Sequence, residues 1–346
     1  MKKYISFLLV VHFFIGIALA DVKPVNGIGA YSYVSNMKLE GYVGEQVNKH
    51  IDAWAATAYA HNPNIIKAIE LAASGGDPYA SLYSGAFLEQ NEFFGKHLTG
   101  LSYLYALTND DKVLTAGNEL VDAMEKAQGK DGYMGVHAIG DRLGAKGNWD
   151  TWGHYHTMLG LYAWYRVTGD EKCMDMVSKA ADYIMKHFER RNYRTGTGSF
   201  VYLAITHLYA LLYQETGEGR YLQEAQRIMD DSWRPSGNWF NRGLQNKPFY
   251  TNGDDSRWEV LHTVEALAPL YAATGEEDYF TALENIWWSI IESDRRSTGG
   301  FSAQEKATGN PYAAGSIETC ACVAWAALSV DYLRLSKIPM QPMNWN

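Results

Sequence analysis

The stretch GSIETCACVAW, residues 315–325, sets the carboxyl of Glu318 two positions before the thiol of Cys320 and four before that of Cys322. The chain has one other cysteine, Cys173. Carboxylate oxygen and cysteine sulfur are both zinc donors, and zinc usually takes four ligands. The same residues also make an ordinary helix start, with Ser316 as N-cap, Glu318 in the first turn and the cysteines packing as small apolar groups. Register decides what can meet. A helix already regular at 318 puts Glu318 and Cys322 on one face and turns Cys320 away. A helix starting near 319 lets Glu318 and Cys320 converge at its entrance. Spacing alone leaves ligation and packing both open.

Other residues invite chemistry. The segment GGFSAQEKATGN places Glu305 in a loop, where a carboxyl whose pKa is raised by burial can act as a general acid; a solvated loop glutamate is the plain alternative. GNWDTWGHYH opens a helix with Trp149, Asp150, His154 and His156 at its entrance, and DDSRWEVLH places His262 at a similar depth of another. Two histidines at one depth can face a common cleft, or each can be a hydrogen-bonded structural histidine. His207 sits deeper in its helix and reads as core.

The elements that carry these residues repeat. YALTNDDKVL from Tyr105, YRVTGDEKCM from Tyr165, YQETGEGRYL from Tyr213 and YAATGEEDYF from Tyr271 are versions of one phrase, and YLRLS at Tyr332 is a worn copy. Each is a helix end, a tight Thr-Gly-acid turn and a new helix start. Glycine allows the left-handed helix stop, and the acid suits the next helix's positive end. Apolar residues on both sides follow helical spacing, as in Met158, Leu159, Leu161, Tyr162 and Tyr165. About ten helices are expected between roughly 36 and 335, with no strand. Helical hairpins cannot bury both faces alone and must stack. The expected fold is all-α: a closed α/α toroid, with an open solenoid as the alternative. The short turns lie at one end of the ring. The long connections, about 129–149, 189–198, 233–256 and 294–315, lie at the other, where sites usually sit.

Residues 1–20 read as a secretory signal: Lys2 and Lys3, an apolar run from about Ile5 to Leu19, then Ala18-Leu19-Ala20. The mature chain is expected from Asp21 as one α/α-barrel domain to 346, exported to the periplasm or the medium. Losing two lysines and no acid in residues 1–20 moves the formal charge from −9 to −11. That balance gives no reason to expect nucleic acid or an anionic membrane as partner, and no later segment resembles a membrane span. Aromatic residues make up 14% of the chain. Their faces stack on sugar rings but also fill cores, so composition makes carbohydrate only a mild expectation.

The ordered set EFFGKHLTGL from Glu92, DGYMG, WDTWGHYHTMLGLYAWYRVTGD, LHTVEALAPLYAATGEEDYF, GGFSAQE and ETCA resembles glycoside hydrolase family 127, typified by β-L-arabinofuranosidases. The resemblance implies an α/α barrel followed by β-rich domains. It also implies zinc held by one glutamate and three cysteines, with one of those cysteines as nucleophile. Residue by residue it implies Glu318 and Cys320 as zinc ligands and Glu305 as acid/base; Cys322, the spare thiol beside them and not at the family position, is taken as a third candidate metal ligand. His156 and His262 match sugar-binding histidines, while a third has no clear counterpart near Ser199–Leu203. Trp149, Asp150 and His154, at the same helix entrance as His156, are read with them as substrate-contacting. The implied chemistry is attack by a zinc-held thiolate on the anomeric carbon, with Glu305 first protonating the leaving oxygen and then activating water, for net retention.

The sequence departs from the family most at its cysteines. The family's nucleophile and fourth ligand form a Cys-Cys pair well downstream of ETCA, and no such pair occurs before Asn346. The expectation is a chain cut before the β-rich part, with an incomplete last hairpin, a partial zinc site and turnover in question. Two other readings stand beside it: a sugar-binding barrel without turnover, and a metal-free α/α-barrel enzyme such as an unsaturated glycuronyl hydrolase.

Overall fold

The computed structural model describes residues 38–82, 90–144, 148–191, 193, 199–231, 238–301 and 303–336. The expected signal segment, and the ends of several long connections, lie outside the described residues.

The N-terminal part is four short helices, α1 (Gly41–His50), α2 (Ala58–His61), α3 (Asn64–Ala73) and α4 (Pro78–Ser81), with a π-helical turn after α1. The hairpins follow. The first pairs α5 (Gln90–Thr108) with α6 (Asp111–Ala127), and the second α7 (Asp150–Thr168) with α8 (Glu171–Phe188). The third pairs α9 (Ile205–Thr216) with α10 (Gly219–Asp231). After α11 (Trp239–Leu244) comes a helix in two pieces, α12 (Trp258–Val264) and α13 (Leu267–Thr274), paired with α14 (Glu277–Ser293); α15 (Thr319–Leu335) is the last. The count exceeds the expected ten because short turns of helix fill the connections and the N-terminal part.

The molecule is an α/α barrel. Its inner helices α5, α7, α9, α12–α13 and α15 each lie against the next, and α6, α8, α10 and α14 pack outside them. Among the described residues there is no strand, only isolated bridges such as Arg257 with Lys306, and no helix is long and apolar enough to cross a membrane.

Local chemistry explains the hairpins. The Thr-Gly-acid turns end α7, α9 and α13 with Gly169, Gly217 and Gly275 in the left-handed region, φ 71° to 74°. Asp170 then accepts a bond from the Lys172 N–H and caps α8, as Asp110 does for α6 through Lys112. The α5–α7 contact is set by backbone. A Cβ at Gly95 would lie 2.0 Å from the His156 carbonyl oxygen, so any side chain there forces the helices apart. Pro269 breaks the fourth inner helix. It has no N–H for the Glu265 carbonyl, which accepts instead from the Ala268 N–H at 3.3 Å.

Candidate active site

The inner helices bring their N-termini to the long-loop end, and four of them carry an acid there: Glu92 on α5, Asp150 on α7, Glu259 on α12 and Glu318 as the N-cap residue of α15. The positive end of a helix favours a carboxylate. The gathering is therefore a consequence of the hairpin parity.

At the entrance of α15 the later of the two registers holds. The helix begins at Thr319, and the Cys320 thiol comes beside the Glu318 carboxylate. The second oxygen, Oε2, is buried with no hydrogen-bond partner among the described residues. Burial raises Glu318, and the neighbouring Glu305 carboxylate adds to it. Burial likewise raises the Cys320 thiol; the charge of Lys96 pulls it back, and Glu318 raises it again. Cys322 is not brought to this pair. Its Sγ lies against Gly300, on the side of the 294–315 loop.

Glu305 reaches the same place from that loop. It and Gln304 both have positive φ, 70° and 51°, a conformation that costs a non-glycine residue about 1–2 kcal/mol. The strain is held by backbone bonds on both flanks, from Gln304 N to Ser316 O at 3.2 Å and from Ala307 N to Ser256 O at 2.8 Å. Arg257, just before α12, forks onto the buried Glu259 carboxylate at 3.0 and 3.1 Å and also donates to Glu305. Glu305 is 42% exposed, so it is anchored yet open to solvent.

Below this rim lies an aromatic and histidine layer. Lys96 of α5 pairs with Glu92 and stands over the rings of Trp152, at 5.9 Å, and Trp258, at 5.4 Å. His156 and His262 are brought together, as their matching depths suggest: their rings are 5.6 Å apart and nearly perpendicular, and both pack on Trp152 and Tyr155. Burial, reinforced by Lys96 and the other two histidines, pushes His156 well below the ordinary histidine range. His207 differs from its reading as plain core. It is buried, but its Nδ1 lies 2.9 Å from the Tyr155 hydroxyl and 3.4 Å from Glu265 Oε2. Burial holds it down at about 4, against a smaller raising effect of Glu265.

Asp150 and His154 are placed elsewhere. Both are fully buried in a knot that fastens the loop before α7. Asp150 Oδ2 accepts from the Tyr133 hydroxyl at 2.9 Å and the Leu143 N–H at 2.8 Å. His154 Nε2 accepts from the Met134 N–H at 3.1 Å, which leaves the Nδ1–H facing the Asp150 carbonyl at 2.8 Å. Burial would raise Asp150, but His154, His137 and the Leu143 N–H outweigh it and hold the carboxyl at about 2. Trp149 is half-buried at the entrance of α7, edge-on to Trp152.

Lys96, Arg257, Glu259 and Glu265 escaped the sequence reading, and His207 was read as core. Glu92–Lys96, at an (i, i+4) interval, and His262–Glu265, at (i, i+3), carried a local signal. Zinc fits in part. Glu318, with an unpartnered buried oxygen, and the adjacent Cys320 supply two donors of the right chemistry. Among the described residues no group of three or more His, Cys, Asp or Glu side chains is placed to hold a metal ion.

Known proteins share this fold. The model of the β-L-arabinofuranosidase GH127 catalytic domain matches residues 44–340. A non-reducing end β-L-arabinofuranosidase of Bifidobacterium longum subsp. longum is 28% identical over 236 residues, covering 60% of this chain and 33% of that protein. A solved GH127 β-arabinofuranosidase superposes with a TM-score of 0.67 at 20% identity, over 88% of this chain and 51% of that one. A GH127 β-L-arabinofuranosidase from Geobacillus stearothermophilus T6 does so with 0.61 at 20%, over 84% and 52%. The chain therefore spans about a third of the curated relative and about half of the two solved enzymes. From the family match along most of its length, this chain belongs to the GH127 β-L-arabinofuranosidase catalytic-domain family.

Proposed function

We propose that the chain supplies the barrel half of an exported retaining glycoside hydrolase acting on β-L-arabinofuranosides of plant-type oligosaccharides or glycans. The observation that carries this is the strained, Arg257-anchored Glu305 beside the Glu318–Cys320 pair, next to a layer in which His262, Trp152 and Trp258 pack on one another. Glu305 is the residue that protonates the leaving glycosidic oxygen and later takes a proton from water. Arg257 orients it. The buried rings of Trp152 and Trp258 exclude water from beneath the site. Glu318 and Cys320 are two donors of a zinc site, and zinc when bound would hold sulfur as thiolate. Export rests on the charged, apolar and small-residue order of residues 1–20.

A second reading is sugar binding without turnover by this chain alone. It is favoured by the donor set, since among the described residues no third His, Cys, Asp or Glu side chain is placed with Glu318 and Cys320 to hold a metal ion.

The test is Glu305→Gln, assayed on two β-L-arabinofuranosides. Turnover of the alkyl glycoside, whose leaving group needs a proton, is expected to fall by about 10²–10⁴-fold. Turnover of the p-nitrophenyl glycoside should fall far less. Equal rates of variant and wild type on the alkyl glycoside would remove Glu305 from the acid role. No turnover of either glycoside by the wild-type chain, with L-arabinose still binding, would select the second reading.

A further inference from the structure

Glu265 lies where Pro269 interrupts the fourth inner helix, one turn after His262 and opposite His207 of α9. Its carboxyl is buried. Oε2 is 3.2 Å from His262 Nδ1 and 3.4 Å from His207 Nδ1, and Oε1 has no hydrogen-bond partner among the described residues. The carboxyl therefore has two contacts, both to the same ring atom of a histidine. We propose that Glu265 is a positioning residue, which fixes the His262 proton on Nδ1 and so leaves Nε2 as an acceptor for a substrate hydroxyl. The inference rests on the reading of this site as a sugar site.

An ionised carboxylate can only accept hydrogen bonds, so a nitrogen bonded to it carries a proton. In a neutral imidazole a proton on Nδ1 leaves Nε2 with a bare lone pair, on the far side of the ring from the partner. The His262 ring packs on Trp152, Trp258 and His156, and its side chain is 14% exposed. His207 lies on the other side of the carboxyl, its Nδ1 3.4 Å from Oε2 and 2.9 Å from the Tyr155 hydroxyl. Glu265 thereby stands where α9 and α12 meet. The helix break is what permits this. The Ala268 N–H takes up the Glu265 carbonyl that Pro269 cannot serve, so the residue keeps its place between the two histidines.

The experiment is ¹⁵N–¹H correlation spectroscopy of the histidine-labelled chain. His262 is assigned from the signals lost in His262→Gln, and L-arabinose affinity is measured by calorimetry in parallel. The expected wild-type pattern for His262 is the Nδ1–H tautomer. In Glu265→Leu the acceptor is gone, so His262 should move to Nε2–H and L-arabinose should bind about tenfold more weakly. Glu265→Gln keeps an acceptor oxygen and should recover part of both. A wild-type His262 in the Nε2–H form overturns the proposal, and needs no variant to fold. So does a tautomer unmoved in Glu265→Leu. An Nδ1–H His262 in a chain that neither binds L-arabinose nor cleaves arabinofuranosides would uphold the positioning and defeat the sugar reading instead.

Discussion

Two histidine–carboxylate clusters meet α7 within its first two turns, and they are finished to different degrees. In the Asp150 knot both ring nitrogens of His154 are engaged and Asp150 Oδ2 takes two donors, so that one oxygen, Asp150 Oδ1, is left without a hydrogen-bond partner among the described residues. In the central cluster His156 Nε2, His207 Nε2 and Glu265 Oε1 are buried without a partner among the described residues. A buried polar group left unpaired costs about 1–3 kcal/mol. The knot behaves as a fastener that the helix entrance needs in order to form. The central cluster gives up stability, which is what a site with work to do tends to show. Residue type does not separate the two; completeness of pairing does.

The largest expected effect comes from breaking the fastener. Asp150→Ala strands the Tyr133 hydroxyl and the Leu143 N–H and takes the carboxylate from beside His154, and it should lower unfolding stability by about 3–5 kcal/mol, as removal of one partner from a buried charged network does. His156→Leu replaces an unpaired buried group by an apolar one of similar size and should cost about 1 kcal/mol or less, while weakening L-arabinose binding. Urea unfolding of both variants measures the contrast. Equal losses would erase the distinction between the clusters.

Acid should separate the same clusters in sequence. His207 is held near 4 against an ordinary 6.5. The unfolded chain therefore takes up a proton that the folded one refuses, so stability is intact above 6.5 and is lost as pH falls toward 4, by about 3 kcal/mol. His156, lowered in the same direction, adds to that stage. Asp150 sits near 2 against 3.8. Its contribution, about 2 kcal/mol, is present above 3.8 and disappears as pH falls through 2. Stability measured from pH 8 to 2 should thus fall in two successive stages, and His207→Phe should shrink only the first. A single stage centred on ordinary carboxylate values would mean that the central histidines are not shielded as described.

How much of this was legible follows from range. The Thr-Gly-acid turns and the 3.6-residue apolar spacing are local, so the barrel and its site-bearing end could be read directly. The pairing of His156 with His262 needed only equal depth on two inner helices. Glu265 looked like one more helical position, because its role depends on a break imposed four residues later by Pro269 and on a histidine from another hairpin. His207 was read as core because depth in a helix reports burial and says nothing of a carboxylate brought in from α12. Asp150 and His154 carried the right chemistry at the right helix entrance. The partners that claim them, Tyr133, Met134 and Leu143, come from a loop whose path the sequence does not reveal.

The smallest effect tests the contrast at α15, where one thiol meets an unpartnered carboxylate oxygen and the next is packed. Two residues apart on a helix, side chains diverge by about 200°, so Cys320 faces Glu318 while Cys322 faces Gly300. Both cysteines can be replaced by serine with little volume change. Cys322→Ser should shift stability by no more than about 0.5 kcal/mol and leave zinc content, measured by atomic emission after dialysis, at the wild-type level. Cys320→Ser should leave stability similarly unmoved but lower zinc, and Glu318→Gln should do the same, because each removes one of two adjacent donors. Zinc lost in Cys322→Ser and kept in Cys320→Ser would place the metal on the loop side of α15. The unpartnered oxygen of Glu318 would then have no bearing on metal binding.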